Sequence, residues 1–369
     1  MASGARPIGS ADIFCRVVDN LGDAGVCWRL ARRLALDHGL RVRLWIDLPQ
    51  TLDCFVTPSA CDQALRADGR IAVLEWRPDS AFGAPADLVI ETFGCDLPAA
   101  CAEALARRKT PARWYNLEYL SAEDWVEGCH ALPSPHPHLP VSRTFFFPGF
   151  SAATGGLLRE PGLIERRRRL DAEGARAPEG AGLRVGLFCY QDAPVADLLS
   201  AFAAGPCPVL CRVFRGPAQE LAQAWAAAHP GAQVQFEWLP WMGQDAFDEV
   251  LWSCEVNVVR GEDSFVRAQW AGRPLVWDIY PQSDQAHLVK MAAFLRRYRV
   301  GLDDAASQAL GALWQPWIRR EPAGLAAAWT ELVAQLPRLR EHAEQWCDQL
   351  ATRPDLADAL LAHAQAARR

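Results

Sequence analysis

Apolar segments of strand length alternate with amphipathic segments from the start of the chain: DIFCRVV (12–18), a helix from about Ala24 to His38, then RVRLWI (41–46). Strands that alternate with helical segments predict βαβ units around a parallel sheet. The pattern continues through RIAVLEW (70–76), DLVIETF (87–93), a helix near 98–108 and ARWYNLEYL (112–120), after which Pro133, Pro135, Pro137 and Pro140 break regular structure. A second alternation starts at LRVGLFCY (183–190). It runs through a helix near 193–203, PVLCRVF (208–214), a helix near 217–228, AQVQFEWL (232–239), a helix near 244–253, EVNVV (255–259), a helix near 264–271 and PLVWDI (274–279). From Ser283 to Arg369 the pattern is helical, with Pro337 and Pro354 as breaks.

The expected fold is α/β with two Rossmann-like halves: an N-terminal domain over 1–150, a linker over 151–182 that carries one basic helix, and a C-terminal domain over 183–369. The last helices are expected to pack back on the N-terminal half. A length of 369 residues agrees, because it exceeds what one hydrophobic core usually fills.

Composition narrows the class. Half of the residues are hydrophobic, yet no apolar run approaches the ~20 residues of a membrane span. The opening MASGARPIGS lacks the apolar segment of a secretory signal, so a cytoplasmic protein is expected. The twelve cysteines are scattered without a CxxC pair, which predicts reduced, mostly buried thiols. A net charge of -6 argues against nucleic-acid binding and suits a basic partner.

Two glycine-bearing turns carry candidate chemistry. In VDNLGDAG (18–25) Asp19 and Asn20 suit a turn, and Asp23 is a natural N-cap for the following helix. The position, after a first strand, is where open α/β sheets place ligands. Two carboxylates there repel phosphate and suit a cationic or hydroxylic group, or a general base. In RGEDSFVRAQWAGRPLVWDIYPQ (260–282) a strand ends at Val259 and a helix starts at Asp263 or Ser264, whose side chains are candidate N-caps. A helix N-terminus with Arg260 beside it and Tyr280 after the next strand makes an anion site. The same residues also describe an ordinary helix cap with a paired Arg and Glu.

Phe188 and Tyr190 end one strand, and Phe236, Trp238 and Trp241 surround an LPW segment (239–241) near Gln244; such rings can sandwich a nucleobase or simply fill a core. His130, His136 and His138 lie in the Pro-rich stretch, with no helix to orient them and no further ligand type to complete a metal set. The Arg166–Arg169 run reads as an exposed helix face. GxSxG, GxxxxGK[ST] and HExxH are all missing from the sequence.

Three long segments, DIFCRVVDNLGDAGVCWRLARRLA, NLEYLSAEDW (116–125) and RGEDSFVRAQWAGRPLVWDIYPQSDQAHLVKM (260–291), together resemble the EarP family of protein-arginine rhamnosyltransferases. The resemblance implies a GT-B architecture of two facing Rossmann-like domains. It also implies an inverting transfer of rhamnose from dTDP-β-L-rhamnose to an arginine of elongation factor P, with no metal and no other cofactor. By motif, Arg260, Glu262, Asp263, Ser264 and Tyr280 fall around ribose and diphosphate, and Phe188, Tyr190, Gln244 and the LPW segment near thymine. Asp23 falls as general base and Asp19 as the carboxylate that orients the guanidinium, an order that the sequence leaves exchangeable. Two rival readings stay open at this point: a GT-B enzyme with another acceptor, and a nucleotide-sugar-dependent binding protein without turnover. The partners implied are elongation factor P and dTDP-rhamnose, with neither nucleic acid nor membrane.

Overall fold

The computed structural model describes residues 8–173, 182–282 and 284–366; the opening heptapeptide and the tract 174–181 of the expected linker lie outside them. The chain divides into two compact units, one running to Glu160 and resuming at Arg353, the other Pro161–Thr352. The break therefore falls at Glu160, where a 151–182 linker was expected. Leu157 and Leu158 are buried as part of the first unit, so the chain cannot act as a free tether there.

The first unit contains β1 (Ser10–Cys15), α1 (Asn20–Leu36), β2 (Arg41–Ile46), α2 (Ala60–Ala67), β3 (Ile71–Glu75), β4 (Leu88–Thr92), α3 (Ala99–Ala106), β5 (Arg113–Leu117), α4 (Trp125–Cys129), β6 (Pro133–Pro135) and β7 (Ser142–Phe146). They form a seven-stranded sheet in the order β3-β2-β1-β4-β5-β7-β6. Only β6 runs antiparallel, at the edge. The Pro-rich stretch thus adds an edge strand that the sequence pattern had not shown; proline is tolerated there because an edge strand can leave one row of N–H groups unused.

The second unit contains α5 (Leu163–Ala172), β8 (Leu183–Leu187), α6 (Val195–Ala203), β9 (Val209–Val213), α7 (Pro217–Ala228), β10 (Val234–Trp238), α8 (Gln244–Ser253), β11 (Val256–Arg260), α9 (Asp263–Ala271), β12 (Leu275–Asp278) and α10 to α13 (Ala286–Tyr298, Asp304–Arg319, Leu325–Ala334, Leu336–Ala351). Its five strands are parallel, in the order β10-β9-β8-β11-β12. Five expected strands and four expected helices appear within a few residues of their predicted bounds. The arginine run on α5 is a correction: Arg167 is buried and donates to the Trp270 carbonyl at 3.1 Å, while Arg168 is exposed beside Asp348. Arg166 lies over the Trp252 ring. A four-residue run on a helix spans a full turn, so one member must face inward.

The last helix, α14 (Leu356–Ala366), returns to the first unit. Leu356, Leu360 and Leu361 enter the core built by α1 and β1, each buried leucine contributing about 2 kcal/mol. Asp355 fixes the return. Its Oδ1 accepts the N–H groups of Ala357 and Asp358 at 2.7 and 3.0 Å, while Arg33 of α1, itself buried, reaches both oxygens at 3.2 Å. Most cysteines are buried and all twelve are unbridged. Among the described residues no helix is long and apolar enough to cross a membrane.

Replacing Asp355 by Ala removes a helix cap and leaves a buried arginine short of a partner, so chemical denaturation should show a loss of about 3 kcal/mol. Arg33 also pairs with Asp37 and with Asp358, and a loss below about 1 kcal/mol would show that these two satisfy it on their own.

Candidate active site

Each sheet reverses its winding once, between β1 and β4 in the first unit and between β8 and β11 in the second. Ligands of open α/β sheets bind outside the carboxyl ends of the strands at that reversal. The residues singled out from sequence follow these strands: Asp19 and Asp23 after β1, Phe188 and Tyr190 after β8, Arg260 to Ser264 at and after β11, and Tyr280 after β12.

In the first unit α1 begins at Asn20, four residues before its expected start, so Asp23 does not occupy the N-cap position; Asp19 does, and its side chain caps no helical N–H. Asp23 works backwards instead. From inside the first turn its Oδ2 accepts the N–H groups of Val18 and Asp19, both at 2.8 Å. It is almost wholly buried, and burial pushes its pKa up from the ordinary carboxylate value against the pull of those two N–H groups, with the nearby Asp47 charge raising it further. A carboxylate so placed holds a proton more readily than an exposed one, as a general base requires. Asp47, just beyond β2, escaped notice in the sequence; its Oδ1 accepts the Val17 N–H at 2.9 Å. Three successive loop N–H groups are thus held by two carboxylates. Asp19 is half-buried above this turn.

In the second unit Arg260 is the centre. Its guanidinium lies 4.4 Å from the Phe188 ring centroid and 5.1 Å from that of Tyr190, and it donates to the Cys189 carbonyl at 3.4 Å. Phe188 is buried and packs its ring against Phe214 and Phe247, so it serves the core and the arginine together. Gly261 then turns the chain at φ 62, a left-handed conformation that favours glycine, and its carbonyl accepts the Trp277 indole N–H at 2.6 Å. α9 starts three residues after the end of β11, so the N–H groups of a helix start follow directly on Arg260. Glu262 occupies the N-cap position, half-buried.

The expected capping by Asp263 or Ser264 is replaced by other contacts. The Ser264 hydroxyl donates to the Arg260 carbonyl one turn back. Asp263 is the first helical residue, and its carboxylate turns inward to accept from Gln244 at 3.1 Å and Arg267 at 3.0 Å. Arg267 also bonds Asp248 at 2.9 Å, so Gln244 and Asp263 belong to a buried network that clamps α8 onto α9. The sequence hint was present: Asp263 and Arg267 are four apart on one helix.

Tyr280 is exposed and meets Tyr190 edge to face at 5.6 Å. Beneath them, Asp278 ends β12 fully buried, accepting the Tyr190 N–H at 2.7 Å and Arg320 at 2.6 Å. Burial raises its pKa, opposed chiefly by Arg320. Arg320 pairs as well with Asp192 at 2.9 Å and so ties the loop after β8 to the end of α11. No short motif marks this pair, since its members lie 42 residues apart. Trp238, Leu239, Pro240 and Trp241 line a cleft of about 450 Å³ with Arg215 and Gln219. Trp238 stacks flat on Phe236, whereas Phe188 makes its ring contacts elsewhere. His130 and His136 accept backbone N–H groups through Nδ1 and so brace their own loop.

Residues 11–365 match the model of the elongation factor P (EF-P) rhamnosyltransferase EarP family. The chain is 45% identical to a protein-arginine rhamnosyltransferase of Pseudomonas putida, covering 95% of this chain and 97% of that one. It is likewise 45% identical to one of Pseudomonas aeruginosa, over 95% and 98%. A solved structure described as the structural basis for EarP-mediated arginine glycosylation of translation elongation factor EF-P is similar at TM-score 0.64 and 33% identity, over 97% and 99% of the two chains. A spinosyn rhamnosyltransferase in complex with thymidine diphosphate shares the fold at TM-score 0.53 and 12% identity, over 98% and 100%. The chain belongs to the EarP family and is a GT-B glycosyltransferase, a protein-arginine rhamnosyltransferase.

Proposed function

We propose that the protein transfers L-rhamnose from dTDP-β-L-rhamnose to an arginine side chain of elongation factor P, inverting the anomeric carbon. The observation that carries this reading is Asp23: a buried carboxylate, pinned by two backbone N–H groups and raised in pKa, at the point of the first sheet where ligands bind. The acceptor is supported by the family's description and by the 33%-identical relative, both of which name EF-P. The donor is supported by the RGEDSF segment and its placement at the reversal of the second sheet.

Guanidinium is a weak nucleophile, because its lone pairs are delocalised and its pKa lies above ~12. Asp19 orients the cation. As a guanidinium nitrogen bonds to the anomeric carbon, the bond from that carbon to the diphosphate oxygen breaks and dTDP leaves with its electron pair. Asp23 takes the proton released by the attacking nitrogen, so the product guanidinium keeps its single charge. Charge that develops on the leaving diphosphate is met by Arg260, by the α9 N-terminus and by the Tyr280 hydroxyl. Glu262 faces ribose or diphosphate from the N-cap position. Ser264 acts with it at the donor, while Asp263 and Gln244 hold α9 in place through Arg267. Phe188 and Tyr190 fix the Arg260 guanidinium, and with the LPW segment they border the thymine. The transfer takes place in the cytoplasm and uses neither a metal nor a cofactor.

Purified elongation factor P incubated with enzyme and dTDP-rhamnose should gain one deoxyhexose on an arginine peptide by intact mass. Asp23→Asn should slow that gain by about 10³-fold while dTDP affinity stays unchanged. An active Asp23→Asn enzyme would remove Asp23 from the base role. Because the raised pKa belongs to a group that must be ionised to act, the acid limb of kcat/KM should lie above the ordinary carboxylate range. Asp47→Asn, which keeps the acceptor for the Val17 N–H but removes the charge, should move that limb to lower pH. Arg260→Ala should weaken dTDP binding at least tenfold by calorimetry; equal affinity would place the diphosphate elsewhere.

A further inference from the structure

Gly22 stands in the first turn of α1 without positive φ, where alanine would serve the helix better. Its N–H closes a turn onto the Asp19 carbonyl at 2.7 Å. A Cβ built on Gly22 would overlap the Asp19 carboxylate: Oδ2 lies inside van der Waals distance, Cγ at 3.1 Å and the Asp19 Cβ at 3.6 Å. The backbone cannot yield easily, because the Asp19 N–H is fixed to Asp23 Oδ2 at 2.8 Å and the Val17 N–H to Asp47 at 2.9 Å. Any side chain at 22 must therefore be relieved by turning the Asp19 carboxylate away.

We propose that Gly22 is a positioning residue for the transfer reaction, its missing Cβ being the space in which the Asp19 carboxylate lies over the first turn of α1. Asp23 and Asp47 set the backbone of the loop, and Gly22 leaves the room that the Asp19 carboxylate occupies. The inference rests on the role of Asp19 in orienting the guanidinium.

The test is a double-mutant cycle of Gly22→Ala and Asp19→Ala, read as single-turnover rhamnosylation by intact mass with enzyme in excess. Tm and dTDP affinity are measured on each protein. Gly22→Ala is expected to keep dTDP affinity, to hold or raise Tm through better helix propensity, and to slow transfer on the order of 10²-fold. In the Asp19→Ala background the same change should cost nothing further. A wild-type rate for Gly22→Ala, or an equal fold-loss in both backgrounds, overturns the role of Gly22 alone. So does a large fall in Tm, which would mark the glycine as a stability residue. An Asp19→Ala enzyme with wild-type rate overturns the role of Asp19 and the inference with it.

Discussion

The chemistry proposed for the first unit depends on one buried interaction, the Asp23 carboxylate accepting two successive backbone N–H groups from the loop that leads into its own helix. A carboxylate this deep pays heavily for its charge unless it is hydrogen-bonded, and each bond it gains also fixes the loop. The same contact therefore shapes the turn, orients the acid and tunes it. Burial outweighs the two hydrogen bonds, leaving the group with a raised pKa. The thiol of Cys15 at the end of β1 is raised as well, by its hydrogen bond to Cys27 and by burial, so the floor beneath the turn stays uncharged.

The second unit solves the opposite problem. The donor site proposed there must favour negative charge, and an arginine at a strand end needs something to hold it. The Arg260 guanidinium lies over both the Phe188 and the Tyr190 rings, which hold it without neutralising it as a carboxylate would. The carboxylates nearby are spent on other cations: Asp263 on Arg267, and Asp278 and Asp192 on Arg320. Charge is thus sorted by pairing, and Arg260 lies against aromatic faces near the start of α9. A net negative chain can in this way present a local anion site.

Both units place their candidate residues by the same rule of topology. Where a sheet reverses its winding, the loops that leave adjacent strands part to opposite faces and open a crevice. In this chain the reversal lies between β1 and β4 and between β8 and β11, and the glycine-bearing turns after β1 and β11 sit beside it.

The sequence by itself determined the α/β class, the two largely parallel sheets and the stretches to which the proposed chemistry is assigned. Those properties are local: apolar periodicity selects strands and helices, and glycine with acidic residues marks a turn that something must stabilise. Only the tertiary structure decided what each polar side chain does. Asp23 read as a helix cap and proved to bind N–H groups behind it; Asp263 read as a cap and proved to join an internal network with Arg267 and Asp248. Asp47, Asp278 and Arg320 carried no motif, since each meets partners far away along the chain. The return of the last helix to the first unit was expected from sequence, but the pairing of Asp355 with Arg33 that fixes it was hidden, because their partnership spans 322 residues. Periodicity tells which face of an element is buried, but a buried charge is satisfied by whichever partner the fold brings within 3 Å, and that distance is set by the packing of whole elements.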